Sequence, residues 1–262
     1  MRLRNTADNL DMSATRDIAE YADEYLRVRE IEDWPNALNG LQLENCRAVR
    51  KIAAAVDVST RALEAAAHIG ANLLVVHHGM FWAGLRPLTK ALHRQLKTAL
   101  DHDIAIYSAH LPLDLHPEVG NNILLMRALG IDYSEPFFEE KGSFLGRRAA
   151  VNVLTGELGT GLEKAVGGPV KQIAVGSKTA GHVGVITGAA GSEIERVAAE
   201  GIETFITGEA PHWAAVAAEE LGINLLLGGH YATETFGVKA LAEHLSKRFK
   251  VSYTFIDCPT GL

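Results

Sequence analysis

Apolar positions along the chain alternate between helical spacing and short continuous runs, which predicts alternating helices and strands. Residues 13–29 carry Ile18, Tyr21, Ala22, Tyr25 and Leu26 as one helical stripe. Trp34-Pro35-Asn36 and Asn39-Gly40 then mark a loop. Residues 52–58 read as a buried strand, after which Ser59 or Thr60 caps a helix that Gly70 stops. A strand over 72–76 ends at His77-His78-Gly79, a helix covers 88–100, and a strand over 104–108 leads to His110. A helix over 120–129 closes this half. The segment 132–181 is richer in glycine, with strand-like runs at 149–154 and 170–175 and a short helix between them. The first pattern then returns. Strands are expected at 183–187, 203–207, 224–227 and 251–256, and helices at 192–200, 211–221 and 233–247. This order predicts an α/β fold with mixed or parallel sheets flanked by helices.

The return reads as an internal duplication, against the plainer reading that any two strand–helix–strand units look alike. Residues 53–78 align without gaps on 184–209, so that Leu63 falls on Ile194, Gly70 on Gly201 and His78 on Glu209. After a shorter linker, strand 104–108 falls on 224–228, and His110-x-x-x-Asp114 falls on His230-x-x-x-Glu234. Packing alone gives no reason for the polar positions to coincide. The expected organisation is two related lobes, one from residues 1–130 plus 225–262 and one from 131–224.

Composition narrows the chemistry. The chain of 262 residues is 47% hydrophobic and 22% charged, enough for a large core and too apolar for disorder. With 11 His and only 2 Cys, Cys46 and Cys258, a metal would be held by imidazole and carboxylate rather than thiolate. The net charge of −7 argues against broad nucleic-acid binding. Met1-Arg2-Leu3-Arg4-Asn5 opens no apolar leader, and no run approaches the roughly 20 residues of a bilayer span, so a cytoplasmic protein is expected.

In parallel α/β sheets, sites form at the carboxyl ends of strands. Four expected strands end in groups able to bind metal: His77-His78, His110 with Asp114, Gly208-Glu209, and His230 with Glu234. Such ligands suit Zn, Mn, Fe, Co or Ni. Side chains four apart on a helical turn sit about 5–6 Å from each other at Cβ, so His230 and Glu234 can share one ion or span two. Adjacent strand histidines point to opposite faces, and Gly79 allows the turn that makes His77 and His78 converge. His110 reads either as a ligand equivalent to His230 or as a proton-moving neighbour of the centre. Leu111-Pro112-Leu113 is not expected to form regular helix. Glu209 reads as an acid/base group or as a cap before Pro211. Asp57 reads as a turn or cap residue. His68, His93, His102 and His244 read as surface, and His116 and His212 as bystanders. Gly188-Ala189-Ala190-Gly191-Ser192 reads as a tight turn, with no Walker or dinucleotide fingerprint.

The chain resembles the GTP cyclohydrolase I type 2-like family, also called the NGG-interacting-factor-like dinuclear metal family, over nearly its whole length. The motifs that carry the likeness are Asn39-Gly40-Leu41-Gln42, Val56-Asp57-Val58-Ser59, Val76-His77-His78-Gly79, His110-Leu111-Pro112-Leu113-Asp114, Gly120-Asn121-Asn122, Thr207-Gly208-Glu209 and Gly229-His230-Tyr231-Ala232-Thr233-Glu234. The resemblance implies two divalent metal ions on His77, His78, Asp114, His230 and Glu234. It also implies a toroidal homohexamer and a hydrolase for a nucleotide or related phosphorylated small molecule, with GTP as the named candidate. His110 and Glu209 are the expected proton carriers. A metal-binding scaffold or metallochaperone-like protein, acting through partners without turnover, is the alternative expectation.

Overall fold

The structure, a computed structural model, describes residues 14–84 and 86–262. The first half contains α1 (Thr15–Tyr25), β1 (Gly40–Leu43), β2 (Lys51–Asp57), α2 (Thr60–His68), β3 (Leu73–His78), α3 (Lys90–Asp101), β4 (Ala105–Ser108), α4 (Leu111–Asp114) and α5 (Asn121–Ala128). The middle contributes β5 (Glu135–Glu140), β6 (Ser143–Leu154), α6 (Thr155–Val166) and β7 (Lys171–Ile173). The last part contains β8 (Thr179–Val185), α7 (Ile194–Ala199), β9 (Thr204–Thr207), α8 (His212–Leu221), β10 (Asn224–Leu227), α9 (His230–Thr233), α10 (Thr235–Phe249) and β11 (Ser252–Phe255).

Two mixed sheets form, in the orders β1-β4-β3-β2-β11 and β5-β6-β8-β9-β10-β7. The duplication is visible in them. In each, three parallel strands are followed by an antiparallel edge: β2, β3 and β4 with β1, and β8, β9 and β10 with β7. The helix after the third strand crosses to the other lobe. Leu125 and Met126 of α5 pack with Val183, Val185, Ile206 and Leu226 under the second sheet. Val238, Leu241, Ala242 and Leu245 of α10 pack with Ile52, Ala54, Val56, Leu73 and Val75 under the first. Each half thus covers the other's sheet, and the short turns α4 and α9 begin these crossings. The expected lobe boundaries change accordingly. β10, placed from residue 225 in the first lobe, belongs to the second sheet, and α5, placed in the first lobe, packs on the second.

Several local expectations also shift. Ser59 is the cap of α2, its hydroxyl accepting the Ala62 N–H at 3.0 Å. The first helix ends at Tyr25 rather than at residue 29, because Arg27 turns to a φ of 56° and Val28 N–H closes back on Asp23 O; Ser13 lies outside the described residues. Leu111–Asp114 is a helical turn after all. Pro112 sits in its first turn, where no intrahelical N–H bond is required. The second-half helix expected from Thr233 begins earlier, at His230, and breaks at Glu234. In the middle, β6 runs for 12 residues and pairs with the unexpected β5. Its mixed surface, with Arg147 and Arg148 in the strand, hides the period. Among the described residues no helix is long and apolar enough to cross a membrane.

Candidate metal centre

The ends of β3, α4 and α9 place five side chains around one point between the lobes. His77 is fully buried at the penultimate position of β3, and His78 follows with its ring centroid 4.8 Å from that of His77. The next residue is Gly79, and a Cβ there would lie 2.1 Å from Gln42 Nε2 and push the Gln42 side chain aside. That space lets Gln42 Oε1 accept the Met80 N–H at 2.7 Å and fix the chain just beyond the histidines. Asp114 ends α4 and Glu234 follows α9, both almost wholly buried. His77 Nε2 lies 3.5 Å from Asp114 Oδ2 and 3.5 Å from Glu234 Oε1. His78 Nε2 lies 3.5 Å from Glu234 Oε2, and His230 Nε2 lies 3.1 Å from Glu234 Oε1. The structure therefore brings together His77, His78, Asp114, His230 and Glu234, the five residues named from the sequence.

Each histidine is held from behind. His77 Nδ1 is 2.9 Å from Ala109 O, His78 Nδ1 is 2.9 Å from Asp57 Oδ1, and His230 Nδ1 is 3.0 Å from Glu209 Oε1. With the proton on Nδ1, each Nε2 offers a lone pair to the centre, the arrangement that surrounds a bound metal. Asp57 thus has a role that its strand-end position did not reveal. Glu209 braces His230 and does not line the cavity in front of the centre. Asn121 holds the other carboxylate, its amide donating to Asp114 Oδ1 at 2.7 Å.

Two buried side-chain atoms here, His77 Nε2 and Glu234 Oε2, have no hydrogen-bond partner. Both belong to the convergent set. A buried polar group without a partner costs stability, and a buried carboxylate costs more. The charge balance points the same way. Burial alone would push the His77 imidazolium down, but Asp114 and Glu234 outweigh it and raise His77 to about 10. Burial opposes protonation of His230 too, yet Glu234 and Glu209 raise it to about 9. Burial raises Asp114, whereas the surrounding histidines overcome burial at Glu234 and draw it down. The site demands positive charge. His78, His230 and Glu234 form one group able to hold a metal ion, and His77, His78 and His110 form another. Nitrogen and oxygen donors of this kind fit a borderline divalent ion.

The duplication explains why there is room. Gly188 and Gly208 occupy the second-half positions that correspond to Asp57 and His77. Gly188 has a φ of +73°, and a Cβ there would lie 2.3 Å from Glu234 Oε1. One half supplies ligands where the other supplies space. His110, like His230, is braced through Nδ1 by a carboxylate. His110 Nδ1 is 2.8 Å from Asp33 Oδ1, and the His110 N–H donates to Asn39 Oδ1 at 2.7 Å. Asp33 also accepts from Asn39 Nδ2 and the Leu111 N–H. Burial would raise its carboxyl, but His110, Asn39 and the Trp34 N–H outweigh burial and hold it below the usual range. Sequence reasoning missed Asp33; the turn signals beside it gave its location but not its partner. His244 is not a bare surface residue, since it stacks on Tyr25 with ring centroids 4.1 Å apart. His116 stays outside the centre, bonded to Tyr25 O.

A cavity of about 510 Å³ opens in front of the centre, lined by His78, His110, Asp114, His230 and Glu234 at one end and by residues of both lobes elsewhere. The fold and site define a two-lobed α/β protein with a buried histidine–carboxylate centre at the lobe junction. The sequence pattern of the family Duf34/NIF3 (NGG1p interacting factor 3) matches residues 13–260, and the chain belongs to that family. A relative in Deinococcus radiodurans, described as a GTP cyclohydrolase 1 type 2 homolog, is 38% identical over 251 residues, 94% of each chain. One of the same description in Escherichia coli is 36% identical over 248 residues, 93% of this chain and 97% of that one. The crystal structure of TTHA1606 from Thermus thermophilus superposes with a TM-score of 0.86 at 36% identity, covering 95% of this chain and 100% of that one.

Proposed function

We propose that the chain is a dinuclear-metal-dependent hydrolase of a nucleotide-type small molecule, with GTP cyclohydrolase-type ring hydrolysis the first activity to test. The observation that carries this reading is the pair of partnerless buried atoms, His77 Nε2 and Glu234 Oε2, at the focus of five potential ligands beside an open cavity. His77, His78, Asp114, His230 and Glu234 would hold the ions. Divalent ions bound there supply Lewis acidity and make water a competent nucleophile near neutral pH.

The chain's own groups do the rest. Glu234 faces three histidines and would offer both its oxygens to the ions. Asp57, Ala109 O and Glu209 keep the ring nitrogens oriented. His110 lines the cavity with Nδ1 engaged by Asp33, which leaves Nε2 to take or give a proton. The test is metal content followed by turnover. Purified protein should carry transition metal by mass spectrometry, and Asp114→Ala and Glu234→Ala should lose it. Loaded with Mn, Zn, Fe or Co, the protein should turn over GTP or a related nucleotide. Metal-replete protein inert on a nucleoside and nucleotide panel overturns the hydrolase reading and supports the scaffold role.

A further inference from the structure

The cavity beyond the metal ligands has a chemical character of its own. Trp34 and Trp82 line it from the first lobe, and Glu140, Ser192, Glu193 and Arg196 line it from the second. Trp82 is about one-third exposed (37%) and abuts the centre, its ring centroid 4.6 Å from that of His110 and 5.0 Å from that of His78. Trp34 is exposed to a similar degree, with Lys141 Nζ 4.3 Å from its ring centroid. Exposed tryptophan faces on a cavity wall are platforms for flat rings.

The charges at the second-lobe wall are not arranged for an anion. Arg196 is the single Lys or Arg among the described lining residues, and it is already engaged. Its guanidinium contacts Glu140 at 2.9 Å and Glu193 at 3.0 Å, donates to Glu139 O, and lies 4.2 Å from the Phe138 ring centroid. Two carboxylates around one guanidinium leave that wall net negative. Glu140 and Glu193 both meet Arg196 through Oε2, which leaves Glu140 Oε1 to accept from a ligand; Glu193 Oε1 accepts the Ser192 hydroxyl at 3.4 Å and keeps a second lone pair. A triphosphate would find no free Lys or Arg among the described lining residues. An edge with paired N–H donors would find acceptors.

Resting on the hydrolase reading above, we propose that the substrate is recognised by its base. The ligand class is a flat nitrogen heterocycle with two adjacent N–H donors on one edge, stacked on Trp82 and read by Glu193 and Glu140. A polyphosphate tail adds nothing to recognition. Guanosine and inosine separate the two halves of this statement, because inosine keeps the ring and lacks the exocyclic amino donor.

The experiment is a titration followed by tryptophan fluorescence and calorimetry, on protein as purified and after chelation, with metal content measured on each sample. On chelated protein, guanosine should bind about tenfold more tightly than inosine, by the loss of one hydrogen bond to a partly solvated carboxylate. GTP should bind within about threefold of guanosine, and tripolyphosphate should not compete. Glu193→Gln should narrow the guanosine preference over inosine. The same change should raise the affinity for tripolyphosphate, because Arg196 loses an anionic partner. Trp82→Leu should weaken both nucleosides by about tenfold, as expected for loss of a stacking face. GTP binding tenfold more tightly than guanosine on chelated protein, or no saturable nucleoside binding, overturns the proposal. Failure of the metal reading is separate: it appears as absent metal in the as-purified sample.

Discussion

The amide of Asn121 donates to Asp114 Oδ1 at 2.7 Å, while its carbonyl oxygen accepts the Gly237 N–H at 2.6 Å. One side chain at the start of α5 therefore ties a candidate ligand to α10, across the two crossing helices. It also leaves Asp114 Oδ2, rather than Oδ1, beside His77. Removing this tie frees the carboxylate to rotate. Asn121→Ala is expected to weaken metal binding by about 10–100-fold, the usual cost of losing a group that orients a ligand. Competition with a chromophoric chelator measures it, and an unchanged affinity would remove Asn121 from the site.

Glu209 and Asp57 make a matched comparison, since each braces the far nitrogen of one histidine. Asp57→Asn and Glu209→Gln keep size and remove charge. Each should lower metal affinity by about tenfold with little loss of fold stability, because both carboxylates are partly exposed. If Glu209 instead carries the proton in turnover, its variant would keep metal affinity and lose kcat alone, and steady-state kinetics beside metal titration separates the two.

Protons compete for the centre. In metal-free protein His77 and His230 are raised to about 10 and about 9, against an ordinary histidine value of about 6.5. Both are therefore protonated at neutral pH, and a metal must displace both protons. Metal affinity should climb with pH, with about two protons released per binding event below pH 9. The sign for folding is the reverse. A raised histidine stabilises the metal-free fold fully below about 6.5, and this contribution is lost as pH rises through the folded values. Metal-free protein should thus lose thermal stability between pH 7 and 10, while metal-loaded protein should not. Calorimetry in buffers of different ionisation enthalpy counts the protons, and thermal melts follow the stability.

The residues behind these predictions were not equally legible in the sequence. The alternation of periods showed the α/β class, and His77, His78, Asp114, His230 and Glu234 stood out because strand ends and a repeated His-x-x-x-carboxylate spacing coincide. The crossing of α5 and α10 did not show. Ile123, Leu124, Leu125 and Met126 are apolar in succession, so α5 has no single stripe to say which sheet it covers. Asp33 was hidden for another reason. Its partner His110 lies 77 positions away, and a local pattern carries no record of a bond that only the folded loop creates. Gly188 looked like an ordinary turn glycine until the duplication and Glu234 gave its lack of a side chain a purpose.

Gly188 supplies the last prediction. Its φ of +73° is one that L side chains rarely adopt, and an added Cβ would sit 2.3 Å from Glu234 Oε1. Gly188 O also accepts the N–H groups of Gly208 and Glu209 at 2.9 and 3.0 Å, so the backbone there cannot swing away without breaking the turn after β9. Glu234 must move instead. Gly188→Ala is expected to cost about 1–3 kcal/mol of stability from backbone strain. Metal binding should fall much further, because the displaced carboxylate is the one that faces three histidines. Gly201→Ala is the control. Gly201 also has a positive φ, of +81°, but nothing lies within 4 Å of its added Cβ, so it should show the strain without the loss of metal. Denaturant unfolding and metal titration on the two variants decide the matter, and equal metal affinities would show that the space at Gly188 is not needed by the centre.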